Sequence, residues 1–217
     1  ATVVSDWGRA PVRTSLAGEH NLRNILAALG CGLLLDMPLD SLVDGIAAIA
    51  SVPGRLERVG ETEEFCVFVD YAHTADGLRA SLMALREMTA GRLICVFGAG
   101  GHRDRNKRPL MGRQVTTFAD MAVVTNDNPR GEDSGRIIAD ILEGMDETIE
   151  VCVQPDRGTA IDAALSTAAE GDCVLIAGKG HETCQIVGNR RVWFDDVEIA
   201  KSRLQEMFPP AVPFVPR

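Results

Sequence analysis

Met121-Ala122-Val123-Val124-Thr125-Asn126-Asp127-Asn128-Pro129-Arg130 runs into Ser134 to Glu143, a segment whose apolar residues recur at helical spacing. Met121 to Val124 reads as a buried strand and Ser134 to Glu143 as a helix, which makes the polar residues between them a strand-to-helix loop. An open parallel sheet collects ligands outside the carboxyl ends of its strands. A loop there bearing a carboxylate, a carboxamide, a proline and a guanidinium suits a zwitterionic amino-acid end. Arg130 offers a planar fork for a carboxylate, while Asp127 and Asn128 can engage an ammonium. Asp-Asn-Pro-Arg reads equally as a plain turn, since Asn and Asp before proline initiate turns. On these residues alone both readings stand.

The same alternation extends in both directions. Strand-like runs occur at Phe65 to Val69, Leu93 to Phe97, Met121 to Thr125, Glu150 to Val153 and Cys173 to Ala177, with helix-like segments near 76–88, 109–118, 134–143 and 157–169 between them. Strands alternating with helices imply right-handed crossovers and a doubly wound, mostly parallel α/β sheet covered on both faces. Thr183 to Val187 and Arg191 to Phe194 flank Gly188-Asn189, a hairpin signal expected to add an antiparallel edge. Asp195 is positioned to cap a last helix to about Glu206, and Pro209 to Arg217 reads as an extended tail.

Upstream the rhythm differs. Residues 1–15 fit an edge strand or the trailing part of something larger. Leu22, Ile25, Leu26 and Leu29 recur with helical spacing, which puts Asn21 and Asn24 on one face and His20 in the first turn. A second helix is expected from about Leu39 to Ala50, before Pro53-Gly54-Arg55 breaks the pattern. Two short helices with hardly any strand are little to make a domain from, so this part reads as the end of a domain whose beginning is absent.

An apolar fraction of 46% over 217 residues is ample for a core. There is no apolar run long enough to cross a bilayer and no targeting segment. A formal charge of −9 without a Lys/Arg stripe argues against a nucleic-acid partner. Cys31, Cys66, Cys95, Cys152, Cys173 and Cys184 lie far apart, with no Cys-x-x-Cys pair. They read as reduced core residues of a cytoplasmic protein.

Each strand end in the larger part meets a polar or glycine-bearing loop, and all of these ends fall on one sheet edge. The loops are Asp70-Tyr71-Ala72-His73-Thr74, Gly98 to Arg105, Asp127 to Arg130, and Gly178-Lys179-Gly180-His181-Glu182. Gly98 to Gly101 lacks the third glycine of a dinucleotide fingerprint, because Arg103 stands there, and no complete triphosphate loop occurs anywhere. Most lone histidines are structural; His73, His102 and His181 rise above that reading through their shared position, but their spacing gives no metal signature.

Taken together, Gly18-x-x-Asn21-x-x-Asn24-x-x-Ala27-Ala28, Pro53-Gly54-Arg55, Asp70-Tyr71-Ala72-His73-Thr74, Phe97 to Asp104 with Lys107-Arg108-Pro109-Leu110-Met111-Gly112, Asp127-Asn128-Pro129-Arg130, and Gly178 to Glu182 with Gln185 resemble the Mur ligase family. The resemblance runs through almost the whole chain and is specific to the branch that adds the third residue of the peptidoglycan stem peptide. Asp-Asn-Pro-Arg is similar to the form associated with meso-diaminopimelate; lysine-adding relatives usually lack the arginine.

The resemblance implies that residues 1–58 are the helical end of a central ATPase domain and 59–217 the C-terminal, amino-acid-binding domain. It implies ATP contacts from His20, Asn21, Asn24, Arg55 and Asp70, and meso-diaminopimelate contacts from Arg103, Asp127, Asn128, Arg130, Gly178 and Glu182, with His73, Lys179 and His181 on the rim. The phosphate loop, the Mg2+ ligands and the carbamylated lysine of the family belong to sequence not present here. This chain alone is therefore expected to be inactive, with no catalytic residue and no metal ligand of its own. UDP-N-acetylmuramoyl-dipeptide would be met through the absent domains. The implied chemistry is phosphorylation of the D-glutamate carboxylate by ATP, followed by attack of the diaminopimelate amine on the acyl phosphate. The alternatives are a non-catalytic amino-acid-binding module, a lysine-adding ligase, or a relative such as the folylpolyglutamate or cyanophycin enzymes.

Overall fold

A computed structural model of the chain describes residues 1–60, 62 and 64–209. Residues 210–217, most of the expected extended tail, lie outside the described residues. The first fifteen residues, left open by pattern, contain a hairpin: β1 (Thr2–Ser5) pairs antiparallel with β2 (Gly8–Pro11). Helices α1 (Glu19–Leu34) and α2 (Leu39–Ala47) follow. Asn21, Ile25, Leu29 and Leu33 of α1 are buried at intervals of four, and Ile25 and Leu29 pack with Val12 and Ile46. Leu22 and Leu26, expected on the buried face, are 41% and 51% exposed, because the stripe runs through positions 21 to 33 instead.

Then come β3 (Glu57–Arg58), β4 (Cys66–Asp70), α3 (Ala75–Arg86), β5 (Leu93–Phe97), α4 (Lys107–Phe118), β6 (Met121–Val124), α5 (Ser134–Leu142), β7 (Glu150–Val153), α6 (Arg157–Thr167) and β8 (Cys173–Ala177). Their strands form one sheet in the order β3-β4-β8-β5-β6-β7, in which only β3 runs antiparallel. The central strands are apolar throughout because both faces are covered. Cys95 and Phe97 turn towards Leu82, Met111 and Ile137 of α3, α4 and α5. Ile94 and Val96 turn the other way, into a second core with Ile161 of α6 and Leu204. Burial pushes the Cys173 thiol up to about 12, consistent with an inert core residue. Cys31 is exposed, contrary to the expectation of a core position.

The hairpin β9 (Cys184–Val187) and β10 (Arg190–Trp193) forms, and Asp195 caps α7 (Asp196–Met207) through the Val197 and Glu198 amides. The ribbon does not lengthen an edge of the large sheet, however; it is a separate two-stranded sheet, and the antiparallel edge is the short β3. The reason lies in Arg130, whose amide donates to Ile186 O at 2.9 Å and whose carbonyl accepts from Gly188 N at 2.5 Å. The ribbon is thus tied to the loop beyond β6, past the strand ends.

Two arginines are wholly buried. Arg157 makes a fork with Asp196, Nε to Oδ1 at 2.8 Å and Nη2 to Oδ2 at 2.7 Å, and also donates to Ala177 O at 3.0 Å and Asn126 O at 3.3 Å. Arg108 donates to Asp140 and Glu132, each at 2.8 Å. The Arg108 bond holds the Asp140 carboxyl below its usual range; the His102 amide and then Arg108 do the same for Glu132.

Removing one partner of a buried pair strands the other charge, so Asp196→Ala should lose about 3–5 kcal/mol in urea unfolding. Carboxyls with depressed pKa values contribute stability above their ordinary range, near pH 4, and lose it as pH falls through their folded values. Acid unfolding of Arg108→Met should therefore show a flatter loss of stability below about pH 4 than the parent.

Candidate active-site clefts

The ends of β4, β5, β6 and β8 open on one edge, as parallel strands require, and their loops enclose a cleft of about 280 Å3. All six residues expected to hold the amino acid line it: Arg103, Asp127, Asn128, Arg130, Gly178 and Glu182.

Asn128 is the hub. Its Oδ1 accepts from Ile186 N at 2.9 Å and from Lys179 Nζ at 3.4 Å, and its Nδ2 donates to Glu182 Oε2 at 2.8 Å. Lys179, expected on the rim, lies instead beneath the cleft at 0% exposure, donating to Cys184 O at 2.6 Å and Glu182 at 3.2 Å. A buried ammonium needs such partners, and three acceptors surround it. Burial opposes the charge on Glu182, but the Asn128 bond and the neighbouring Lys179 outweigh it, so its carboxyl is held below the usual range.

Arg130 has φ 54, a backbone state rare for a side chain of this size, fixed by the two ribbon bonds. Its Nη1 donates to Gly101 O at 2.9 Å and Asn128 O at 3.3 Å. Nη2 and Nε have no partner among the described residues, which leaves one edge of the guanidinium for a ligand. Gly178 has φ 119, and a Cβ there would lie 2.8 Å from Asp127 Oδ2, so this position favours glycine on both counts.

A second groove, about 450 Å3, is lined by His20, Asn21, Asn24 and Arg55 together with Ile25, Ala28, Ile46, Ile49 and Val52. Asn21 Nδ2 donates to Ala17 O at 2.8 Å and Asn24 Nδ2 to Asn21 Oδ1 at 3.4 Å, which turns the Asn24 oxygen away from its neighbour. The Arg55 guanidinium sits over the Tyr71 ring, 4.7 Å from its centre, so this stacked pair joins the two hollows. His73 and His181 flank the same ring at 4.6 and 5.2 Å.

Asp70 stands apart from the residues of both hollows. It is 5% exposed, and its carboxylate accepts from Leu56 N at 2.8 Å, Ala72 N at 2.9 Å and Ser81 Oγ at 2.8 Å. Three of the roughly four acceptor positions of this strand-end carboxylate are thus occupied from within the protein. Tyr71, Thr74, Asp104 and Lys107 line the cleft although sequence gave them no ligand role. Lys107 could have been found from its place at a helix start beside a strand-end loop. Among the described residues no group of three His, Cys, Asp or Glu side chains could hold a metal ion.

Residues 54–180 match the family model for the Mur ligase glutamate ligase domain. The UDP-N-acetylmuramoyl-L-alanyl-D-glutamate–2,6-diaminopimelate ligase of Gloeobacter violaceus is 49% identical over 206 residues, 94% of this chain and 42% of the relative. The ligase of the same name from Nostoc sp. is 47% identical over 207 residues, with the same coverage of both chains. The chain thus spans less than half the length of these curated relatives. A solved structure of a UDP-N-acetylmuramoyl-L-alanyl-D-glutamate–2,6-diaminopimelate ligase superposes with a TM-score of 0.70 at 38% identity, covering 95% of this chain and 42% of that one.

Asp70→Ala would leave two buried amides and a hydroxyl without an acceptor, at about 1–3 kcal/mol each. Chemical denaturation should show a loss of that order, and a variant as stable as the parent would return Asp70 to the ligand-binding candidates.

Proposed function

The chain belongs to the Mur ligase family, and from that premise we propose that it is the amino-acid-binding part of an ATP-dependent ligase joining meso-diaminopimelate to UDP-N-acetylmuramoyl-L-alanyl-D-glutamate in the cytoplasm. One observation carries the amino-acid assignment: Arg103 and Arg130, neither in an ion pair with any described carboxylate, share a cleft with Asp127, Asn128 and Glu182. A diamino dicarboxylate presents the complementary set, two anions and two cations. In this reading the arginines take the far carboxylate while Asp127, Asn128 and Glu182 take the far ammonium, so that the other amine projects from the cleft. Holding that amine in line for attack replaces a bimolecular encounter with a positioned one.

The second groove fits a nucleotide base: an apolar floor from Ile25, Ala28 and Ile46, with amide groups from Asn21 and Asn24 at its side. Arg55 is positioned for ribose or phosphate. ATP would supply the phosphoryl group that turns the D-glutamate carboxylate into an acyl phosphate. The sequence contains no loop of backbone amides and lysine for a triphosphate. In this reading residues 1–58 are the end of an ATP-binding domain and 59–217 the amino-acid domain, and a triphosphate would need a phosphate loop from outside this chain.

Arg130→Ala should cost on the order of 2–5 kcal/mol in affinity for meso-diaminopimelate, much of it from the unpaired ligand carboxylate. Lysine, which lacks the far carboxylate, should bind the parent far more weakly, since a site built around polar groups rejects an analogue missing their partner by roughly 10⁴-fold. Calorimetric titration of both chains with both amino acids is the test. Equal binding of the two by the parent, or an unchanged preference in Arg130→Ala, would make Asp127 to Arg130 a plain turn. The parent chain alone should release no phosphate from ATP; steady release by homogeneous protein would refute the domain assignment.

A further inference from the structure

The cleft holds a third cation that the two-arginine grip does not use. Lys107 opens α4, is half-buried, and donates from Nζ to His73 O at 2.7 Å. None of the ion pairs among the described residues includes it. An ammonium has three donors, and two of these have no acceptor there. A lysine with a solvated head would leave the protein surface; this one is anchored at the cleft wall with most of its bonding capacity unspent. The charges of the cleft balance only with it included: Arg103, Lys107 and Arg130 against Asp104, Asp127 and Glu182.

Its place in the cleft differs from that of the arginines. Arg130 is bound to Gly101 O and Asn128 O, on the side of the β5 and β6 loops. Lys107 is bound to the β4 loop at His73, whose ring packs on Tyr71, which in turn carries Arg55 from the nucleotide groove. Lys107 therefore lies on the side of the cleft towards the second groove, from which, on the function proposed above, the phosphorylated partner would arrive. Resting on the function proposed above, we propose that Lys107 binds the second carboxylate of the amino-acid substrate, the one beside the amine that reacts. Arg103 and Arg130 fix one end of a dicarboxylate and Lys107 the other, so the cleft measures the distance between two carboxylates. Burial holds the Lys107 pKa below its ordinary value, with Asp127 and Asp104 acting in the opposite direction. An arriving carboxylate adds to the latter effect.

The test uses the isotope-labelled 217-residue chain, titrated in NMR with meso-diaminopimelate and with pentane-1,5-diamine, which has both amines and no carboxylate. Lys107→Met should weaken meso-diaminopimelate by at least about tenfold, the scale of one charged hydrogen bond, and Lys107→Arg should recover most of that loss. Binding of the diamine should not weaken in Lys107→Met. In the unmodified chain, saturation with meso-diaminopimelate should move the titration of the Lys107 Cε signal to higher pH, a readout that does not depend on any variant folding. Undiminished affinity in a folded Lys107→Met chain, or an unmoved Lys107 titration at saturation, overturns the subsite and leaves the function standing. No binding of meso-diaminopimelate by the parent overturns both.

Discussion

Arg157 is the fixed point of the molecule. Its guanidinium lies between the starts of α6 and α7, forked onto Asp196, and its remaining donors hold Asn126 O beyond β6 and Ala177 O at the end of β8. Two strand ends that are not neighbours in the sheet are thereby pinned to one rigid planar group. Desolvating an ion pair costs more than a hydrophobic pair of the same size, so it makes a weak argument for stability alone. What it gives here is position. The loops it holds carry Asp127, Asn128, Gly178 and Glu182, and a cleft of this size tolerates little error in their placement.

Above that fixed point the polar groups fall into two sets. Lys179, Gln185 and the backbone of the β9–β10 ribbon satisfy Asn128, Glu182 and the Asp127 carbonyl, so these acceptors and donors are oriented before any ligand arrives. Arg103, Arg130 and Lys107 are anchored through backbone carbonyls, which fix direction without neutralising charge. Preorganised carboxylates and amides on one side and cations without an ion-pair partner on the other suit a ligand that carries both signs of charge.

The parts legible in the sequence are those encoded locally. The apolar runs of β4 to β8 and the helical segments between them could be read from period and length, and strand-end loops were candidate ligand sites by geometry. Asp127, Asn128 and Arg130 follow from that rule as cleft residues, whereas Gly178 and Glu182 are singled out within their loop by the family resemblance. Asp70 obeys the same rule and escapes its consequence, because Leu56, Ala72 and Ser81 arrive from three different places to satisfy it. Lys179 and Arg157 were opaque for a related reason. A charged residue is assumed exposed until its partners are known, and the fork between Arg157 and Asp196 spans 39 positions. The ribbon's attachment was likewise invisible, since it depends on the φ of Arg130.

The strand order has a consequence for how such a protein is made. β8 is the last strand of the large sheet in the chain, yet it lies between β4 and β5, with Cys173 opposite both Cys66 and Leu93. As the polypeptide leaves the ribosome, β4 and β5 emerge first and have no direct ladder to each other. Helices and the β5-β6-β7 side can form early, but the sheet stays split down its middle until residue 173 and beyond are available. Non-local pairing of this kind is slow, and two open edges inside an unfinished sheet invite pairing with other chains. A polypeptide halted just short of β8 would carry both of the cleft's arginines and no floor beneath them, so the cleft is completed only by the last strand of the sheet, in a single closing step.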